Sequence, residues 1–244
     1  MAQALVPLKN LVQAKSRLAG LLHPSERCAL AQAMAEDVLQ VLSSHTSITR
    51  ITLVCDDPGA ELLAQKYGAD CWSERSLGGT GLNTLIQSAS ERLIIEASDT
   101  LVVLHADLPL LSCEDISAVL RRQRELAGLI IGCDLQGTGT NLLAFDSNSM
   151  PKRFRFGANS CPAHAADARK AGIPVEILQR FGIGVDVDEA QDLKSIMARL
   201  QYPAQGCTAQ LLCDSEIGSR LTLALTTVLD GANSIDITEG GLAN

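Results

Sequence analysis

The residues best suited to chemistry are three aspartates and a group of cations. Asp107 lies just past the apolar run 100–104, in His105-Ala106-Asp107-Leu108-Pro109. A carboxylate there can hold Mg2+, which bridges phosphate oxygens. An Asp that caps the turn ahead of Pro109 is the plainer reading. His105 reads as a packing or hydrogen-bonding residue rather than a ligand. In Gly184-Val185-Asp186-Val187-Asp188-Glu189 the two aspartates alternate along an extended segment and share a side. Asp188 could be only the cap of the following helix. Asp186 has no such role, and metal binding is the first reading for it. Lys9, Lys15 and Arg17 follow the first apolar run within one short loop. Cations so placed could hold a triphosphate, with a solvated basic loop as the alternative.

Three glycine-containing loops could accept the other ends of such a ligand. Gly78-Gly79-Thr80-Gly81-Leu82-Asn83 lets backbone N–H groups approach a ligand ahead of a helix start, with Gly79 and Asn83 as candidates. A plain turn explains this loop as well. Gly137-Thr138-Gly139-Thr140-Asn141 offers amides and hydroxyls to a phosphate or carboxylate. The stretch Arg153-Phe154-Arg155-Phe156-Gly157-Ala158-Asn159-Ser160-Cys161-Pro162-Ala163-His164 combines two arginines with a flexible Gly157 and a helix start at Ser160. No Walker A sequence is present, and the glycine spacing is not the dinucleotide fingerprint.

The elements that must position these groups alternate between short apolar runs and helical patterns. Strands are expected at 4–6, 51–55, 69–72, 100–104, 129–133, 141–145 and 175–178. Helices are expected at 24–42, 58–67, 82–97, from 113, 163–171 and 189–200. Pro24 suits the first helical position. Asp115, three residues after Ser112, makes a weaker capping box. This β-α repetition predicts an α/β fold with a mostly parallel sheet covered on both faces. Such sheets bind ligands at the carboxyl ends of their strands, where the candidate residues fall. The expected division is a domain over 1–204 and an extension over 205–244. The extension reads as an added helix or strand pair ending in a loose tail after 239. Its apolar island at 221–229 could bury itself in a homodimer.

Composition narrows the classes. Apolar residues make up 46% and aromatics 3%, so the core must be aliphatic. The net charge is −8, which argues against a nucleic-acid partner. No stretch reaches the ~18 apolar residues of a membrane span. The eight cysteines show no Cys-x-x-Cys spacing and no leader precedes them, so a reduced, cytoplasmic protein is expected.

Six segments, taken in order, resemble the CofC/FbiD family of guanylyltransferases in coenzyme F420 biosynthesis. They are Val6-Pro7-Leu8-Lys9 with Ala14-Lys15-Ser16-Arg17-Leu18, residues 78–83, Ala106-Asp107-Leu108-Pro109-Leu110-Leu111, residues 137–141, 156–160 and 185–188. The resemblance covers roughly residues 4–200. It implies a three-layer α/β/α nucleotidyltransferase fold of the GT-A type, as in the molybdenum-cofactor guanylyltransferases. It implies GMP transfer from GTP to the phosphate of 3-phospho-D-glycerate, phosphoenolpyruvate or 2-phospho-L-lactate. Pyrophosphate leaves, and the product passes to a lactyl-transferase-type partner enzyme.

By the same resemblance, Asp107 and Asp186 match metal-binding aspartates, with Asp188 beside them, for Mg2+. Lys15 and Arg17 match the loop near the GTP phosphates, with Lys9 in the same loop. Thr138, Gly139, Gly157 and Ser160 match acceptor-binding positions, with Thr140 adjoining. Two departures stand out: His23 replaces a Ser before Pro24, and Cys161 replaces a Phe beside the proposed acceptor site. Rival readings are a related nucleotidyltransferase acting on a molybdopterin or sugar phosphate, and a nucleotide-binding regulator without catalysis.

Overall fold

A computed structural model describes residues 1–8, 11, 14–96, 100–200 and 205–232. Seven strands form one sheet: β1 (Ala2–Pro7), β2 (Ile48–Val54), β3 (Asp70–Trp72), β4 (Thr100–Leu104), β5 (Leu129–Cys133), β6 (Thr140–Phe145) and β7 (Val175–Leu178). Their order is β3-β2-β1-β4-β6-β5-β7. Every described pair is parallel except those of β6, which runs antiparallel to β4 and β5. Its reversal has a consequence for the site. The start of β6 lies at the sheet edge where β1, β4 and β5 end, so four chain segments meet there.

Helices cover both faces because the strands are apolar on both. α1 (Pro24–Ser44), α2 (Pro58–Tyr67) and α5 (Cys113–Leu126) pack with one side of the sheet around Val6, Leu53, Leu104 and Ile116. α4 (Leu82–Glu96) and α6 (Ser160–Lys170) cover the other, around Leu5, Val103, Leu143 and Phe145. Between them lie the one-turn helix α3 (Glu74–Leu77), the one-turn helix α7 (Phe181–Gly184) and α8 (Ala190–Met197). The two one-turn helices were beyond the reach of periodicity, since four residues make barely one turn. At α5 the Ser112 hydroxyl accepts from the Asp115 N–H, and the Asp115 carboxylate accepts from the Ser112 N–H. At α1 the Glu26 carboxylate accepts from the N–H of His23 at 2.7 Å, so the start is capped despite the missing Ser.

Beyond residue 205 the chain forms two helices rather than a strand pair: α9 (Cys207–Cys213) and α10 (Glu216–Ala232). Asp37 on α1 accepts the N–H groups of Cys207 and Thr208 at 2.6 and 2.9 Å, capping α9 from another element. Arg220 on α10 donates to the Leu21 carbonyl and to Glu26. Leu221 and Leu225 are buried with Leu18, Met34 and Val187 in a third cluster. These two side chains of the apolar island therefore serve the chain's own core. The expected tail after 239 lies outside the described residues. All eight cysteines are free thiols, and Cys55 and Cys133 sit in the apolar clusters.

Candidate functional site

A cleft of about 580 Å³ opens at the carboxyl ends of β1, β4 and β5. Lys15 is one of its lining residues. Its backbone adopts the left-handed region, φ 55° and ψ 42°, just ahead of the single 3-10 turn Ser16–Leu18. That conformation costs an L-residue about 1 kcal/mol, and the contacts of the ammonium offset it. Lys15 Nζ donates to Asp107 Oδ2 at 2.6 Å and to Asp188 Oδ1 at 2.9 Å. Only 7% of its side chain is exposed. Burial alone would lower the Lys15 pKa, but the charges of Asp107 and Asp188 raise it above the ordinary value. The shift favours the charged ammonium.

The aspartates divide into two electrostatic kinds. Burial in the cleft floor works against ionisation of Asp107, yet Lys15 and His105 hold its carboxyl below the usual range. Asp186 is the reverse: burial and the charge of Asp107 push it up to about 6. Asn141 Nδ2 approaches Asp186 Oδ1 at 3.4 Å and donates to the Ile183 carbonyl at 2.9 Å. Two neighbouring carboxyls with displaced titrations mark a functional site. Asp188 is not the helix cap. Glu189 holds the N-cap position of α8, and Asp192 accepts from the N–H groups of Asp188 and Glu189. The Asp188 side chain is left to face Lys15.

These groups fit a hard, oxygen-liganded dication. The donors are carboxylates only, and the raised Asp186 is the carboxyl whose ionisation such a cation favours. Among the described residues no three His, Cys, Asp or Glu side chains gather at ligating distance, and Lys15 bridges Asp107 and Asp188. A cation held by two carboxylates and completed by substrate phosphates is the usual arrangement for magnesium.

The facing wall is built from two loops stapled together. Asp134 accepts from the Thr138 N–H, the Thr138 hydroxyl and the Gly139 N–H, at 2.7, 2.9 and 2.7 Å. A Cβ at Gly139 would come within 2.7 Å of Asp134 Oδ2, so this glycine makes room for the clamp. The Ser160 hydroxyl accepts from the Thr140 N–H at 2.8 Å, and Cys161 N–H donates to the Thr138 carbonyl at 3.0 Å. The amides of 138–140 are therefore spent inside the protein, contrary to the expectation that they bind a ligand. The N–H groups of Gly157, Ala158, Asn159 and Ser160 take no acceptor among the described residues. They lie at the positive end of α6, on the cleft wall.

Lys15, Arg17, Asp107, Asp186, Asp188, Thr138, Gly139, Thr140, Gly157 and Ser160 all line this cleft. Arg17 sits at the rim, paired with Glu189 at 3.1 Å and largely exposed. Lys9 lies outside the described residues. Gly79 and Asn83 do not reach the cleft wall. Asn83 instead donates to the Phe156 carbonyl at 3.0 Å and accepts the Phe156 N–H at 2.7 Å, holding the next loop in place. Arg153 and Arg155 point to a different cavity. Cys161 is buried against the second core cluster, so its departure from the family pattern does not face the cleft. Sequence reasoning missed Asp134 and gave His164, at the end of its motif, no role; the partners of both lie in the adjoining loops.

A sequence model described as "Guanylyl transferase CofC like" matches residues 2–201. The chain belongs to this family. It is 34% identical over 197 residues to the phosphoenolpyruvate guanylyltransferase of Chloroflexus aggregans, covering 79% of this chain and 95% of that one. It is 30% identical over 217 residues to the 3-phospho-D-glycerate guanylyltransferase of Phenylobacterium zucineum, covering 88% and 96%. It is likewise 30% identical over 194 residues to the 2-phospho-L-lactate guanylyltransferase of Methanothermobacter thermautotrophicus, covering 80% and 83%. The fold matches a solved structure described as a nucleotide-diphospho-sugar transferase from Desulfovibrio desulfuricans. That match has a TM-score of 0.75 and 19% identity, covering 91% and 97%. This CofC-like protein is accordingly an enzyme with a nucleotidyltransferase fold.

Proposed function

We propose that this CofC-like enzyme transfers GMP from GTP to the phosphate of a small phosphorylated carboxylic acid. The candidate acceptors are phosphoenolpyruvate, 3-phospho-D-glycerate and 2-phospho-L-lactate, the acids in its relatives' names. The observation that carries the reading is the contact of Lys15 with Asp107 and Asp188, with Asp186 beside them and the α6 N-terminus across the cleft. That arrangement suits two anions brought together.

An acceptor phosphate oxygen attacks the α-phosphorus of GTP. The new phosphorus–oxygen bond forms as the bond to the β-phosphate bridging oxygen breaks, and pyrophosphate leaves with that electron pair. The acceptor oxygen is already an anion, so no general base is required. Lys15 places a fixed positive charge on the cleft wall, and Arg17 places another at its rim. The N–H groups of 157–160 orient the acceptor. Asp107 and Asp186 would hold Mg2+, which supplies charge neutralisation to phosphate oxygens when bound. Residues 1–204 form the catalytic unit on this reading, with 205–244 as an extension. The enzyme works in the cytoplasm, and its labile product passes to a lactyl-transferase-type enzyme.

The test is incubation of the purified protein with GTP, MgCl2 and each acid in turn. Pyrophosphate release is followed, and the product is identified by mass. The expected result is a GMP–acid anhydride with at least one acid. GTP binding without turnover across the panel would overturn the proposal.

A further inference from the structure

A second cavity lies behind the acceptor loops. It has a volume of about 410 Å³ and is lined by Lys152, Arg153, Arg155, Lys170 and Asp167, over a floor that includes Leu129 and Ile173. Four cations against one carboxylate is an unusual local balance in a chain whose net charge is −8. Arg155 is paired with Asp167 at 2.8 Å. Among the described residues Lys152 and Lys170 have no ion-pair partner, and Arg153 has only the longer-range field of Asp167. Like charges held around one concavity repel each other, and an anion relieves that repulsion.

The cavity is separate from the catalytic cleft. Leu129 begins β5, whereas Asp134 of the cleft follows its end, so about 16 Å of strand lies between them. α6 spans the same interval, with Ser160 at the cleft and Lys170 at the second cavity. One buried side chain touches both. His164, 2% exposed, lines the second cavity. Its Nε2 accepts the Arg155 N–H at 2.8 Å, which leaves the proton on Nδ1, facing Thr140 Oγ1 at 3.1 Å. Thr140 is a wall residue of the catalytic cleft.

We propose that this cavity is a second anion-binding site, built for a small phosphate-bearing ligand and in contact with the catalytic wall through His164. The site does not depend on the identity of the acceptor acid or on the reaction proposed above. Lys152, Arg153 and Lys170 hold the charge of the ligand. Arg155 responds through its backbone, which is bonded to His164.

The experiment is a titration of the 15N-labelled full-length protein with inorganic phosphate at constant ionic strength, followed residue by residue by NMR. Phosphate is expected to shift amides of 152–155 and 167–173 with a saturation curve of their own, and to move Thr140 along the same curve. In the Arg153→Gln/Lys170→Gln double variant that affinity should fall at least tenfold, while shifts around Asp107 are retained. Both side chains are exposed, and the unchanged remainder of the spectrum reports the fold. Two results would overturn the proposal: shifts confined to the catalytic cleft, or equal shifts produced by chloride. Saturation at the second cavity without movement of Thr140 would overturn the link through His164.

Discussion

Lys15 and Asp107 are separated by 92 positions in sequence, yet Nζ and Oδ2 lie 2.6 Å apart on the wall of the cleft. The pair explains why a buried ammonium and a carboxylate can coexist there. Each stabilises the charged form of the other, and Asp188 supplies a second acceptor to the same ammonium. A cation fixed this way needs no reorganisation when phosphates arrive.

The Asp107→Asn variant keeps the shape of the side chain and removes its charge. Lys15 retains Asp188, so the fold should hold. Turnover should fall by on the order of 10²-fold or more, as for loss of one main electrostatic contact. Steady-state pyrophosphate release, with circular dichroism as the control, checks this. Near-normal rates would remove Asp107 from the mechanism.

Asp186 gives a prediction of opposite sign for stability and activity. Its native carboxyl holds a proton to about pH 6, against an ordinary value of 3.8. Between these values the native state binds more protons than the unfolded one, so this group lowers stability as pH rises. Above pH 6 the full penalty stands, and below the ordinary value it is absent. Asp186→Asn should therefore raise the melting temperature at pH 8, and the gain should fade toward pH 4. The same variant should lose activity, and added MgCl2 should stabilise the native protein but not the variant. A lower melting temperature at pH 8 would contradict the assignment of strain to this carboxyl.

Much of this site could be read in the chain, and the limits have physical causes. Asp107 follows an apolar strand-like segment and Asp186 sits within one; Asp186 had no other role on offer, whereas a turn cap stayed open for Asp107. Lys15 was legible by type, but its left-handed backbone and its two partners depend on contacts 92 and 173 positions away. Asn83 looked like a ligand because it follows glycines ahead of a helix. Only the fold reveals that both ends of its amide are taken by the Phe156 backbone. The 137–141 loop advertised free amides, and Asp134 had already consumed those of Thr138 and Gly139. His164 closed the 153–164 motif without a role, since a lone histidine in a helix carries no spacing to interpret. The antiparallel β6 was hidden for a similar reason: an apolar run of six residues has no direction.

Asp134 should act on the acceptor side without touching the reaction. Asp134→Ala removes three hydrogen bonds from residues 138 and 139 and frees the loop. KM for the acceptor acid should rise by about tenfold, the scale set by one or two net hydrogen bonds, with KM for GTP little changed. Initial-rate kinetics with each substrate varied separately would measure it. Equal rises for both substrates would mean that the loop serves the whole cleft.

The cap that Asp37 places on α9 should carry the docking of the last two helices. Asp37→Ala leaves the N–H groups of Cys207 and Thr208 without their acceptor. Loss of such a cap costs about 1 kcal/mol, which for a chain of this size lowers the melting temperature by roughly 2–4 °C. Limited proteolysis should show earlier cleavage after residue 205. Unchanged digestion would mean that the third apolar cluster alone holds the extension.

His164 makes the acid behaviour of the cleft wall behind Thr140 measurable. Burial pushes its pKa down to about 4, and the Arg155 N–H already occupies Nε2. The unfolded chain binds a proton near pH 6.5 and the native chain does not until about pH 4. Stability from this group is therefore complete above 6.5 and drains away as pH falls toward 4, by up to about 3 kcal/mol. His164→Gln should cost stability at pH 7 through its lost contacts, but it has no proton to gain. The gap between native protein and variant in urea unfolding should narrow from pH 7 to pH 4.5. A gap that stays constant over that range would mean that the imidazole is not held neutral, and the wall behind Thr140 would then need another account.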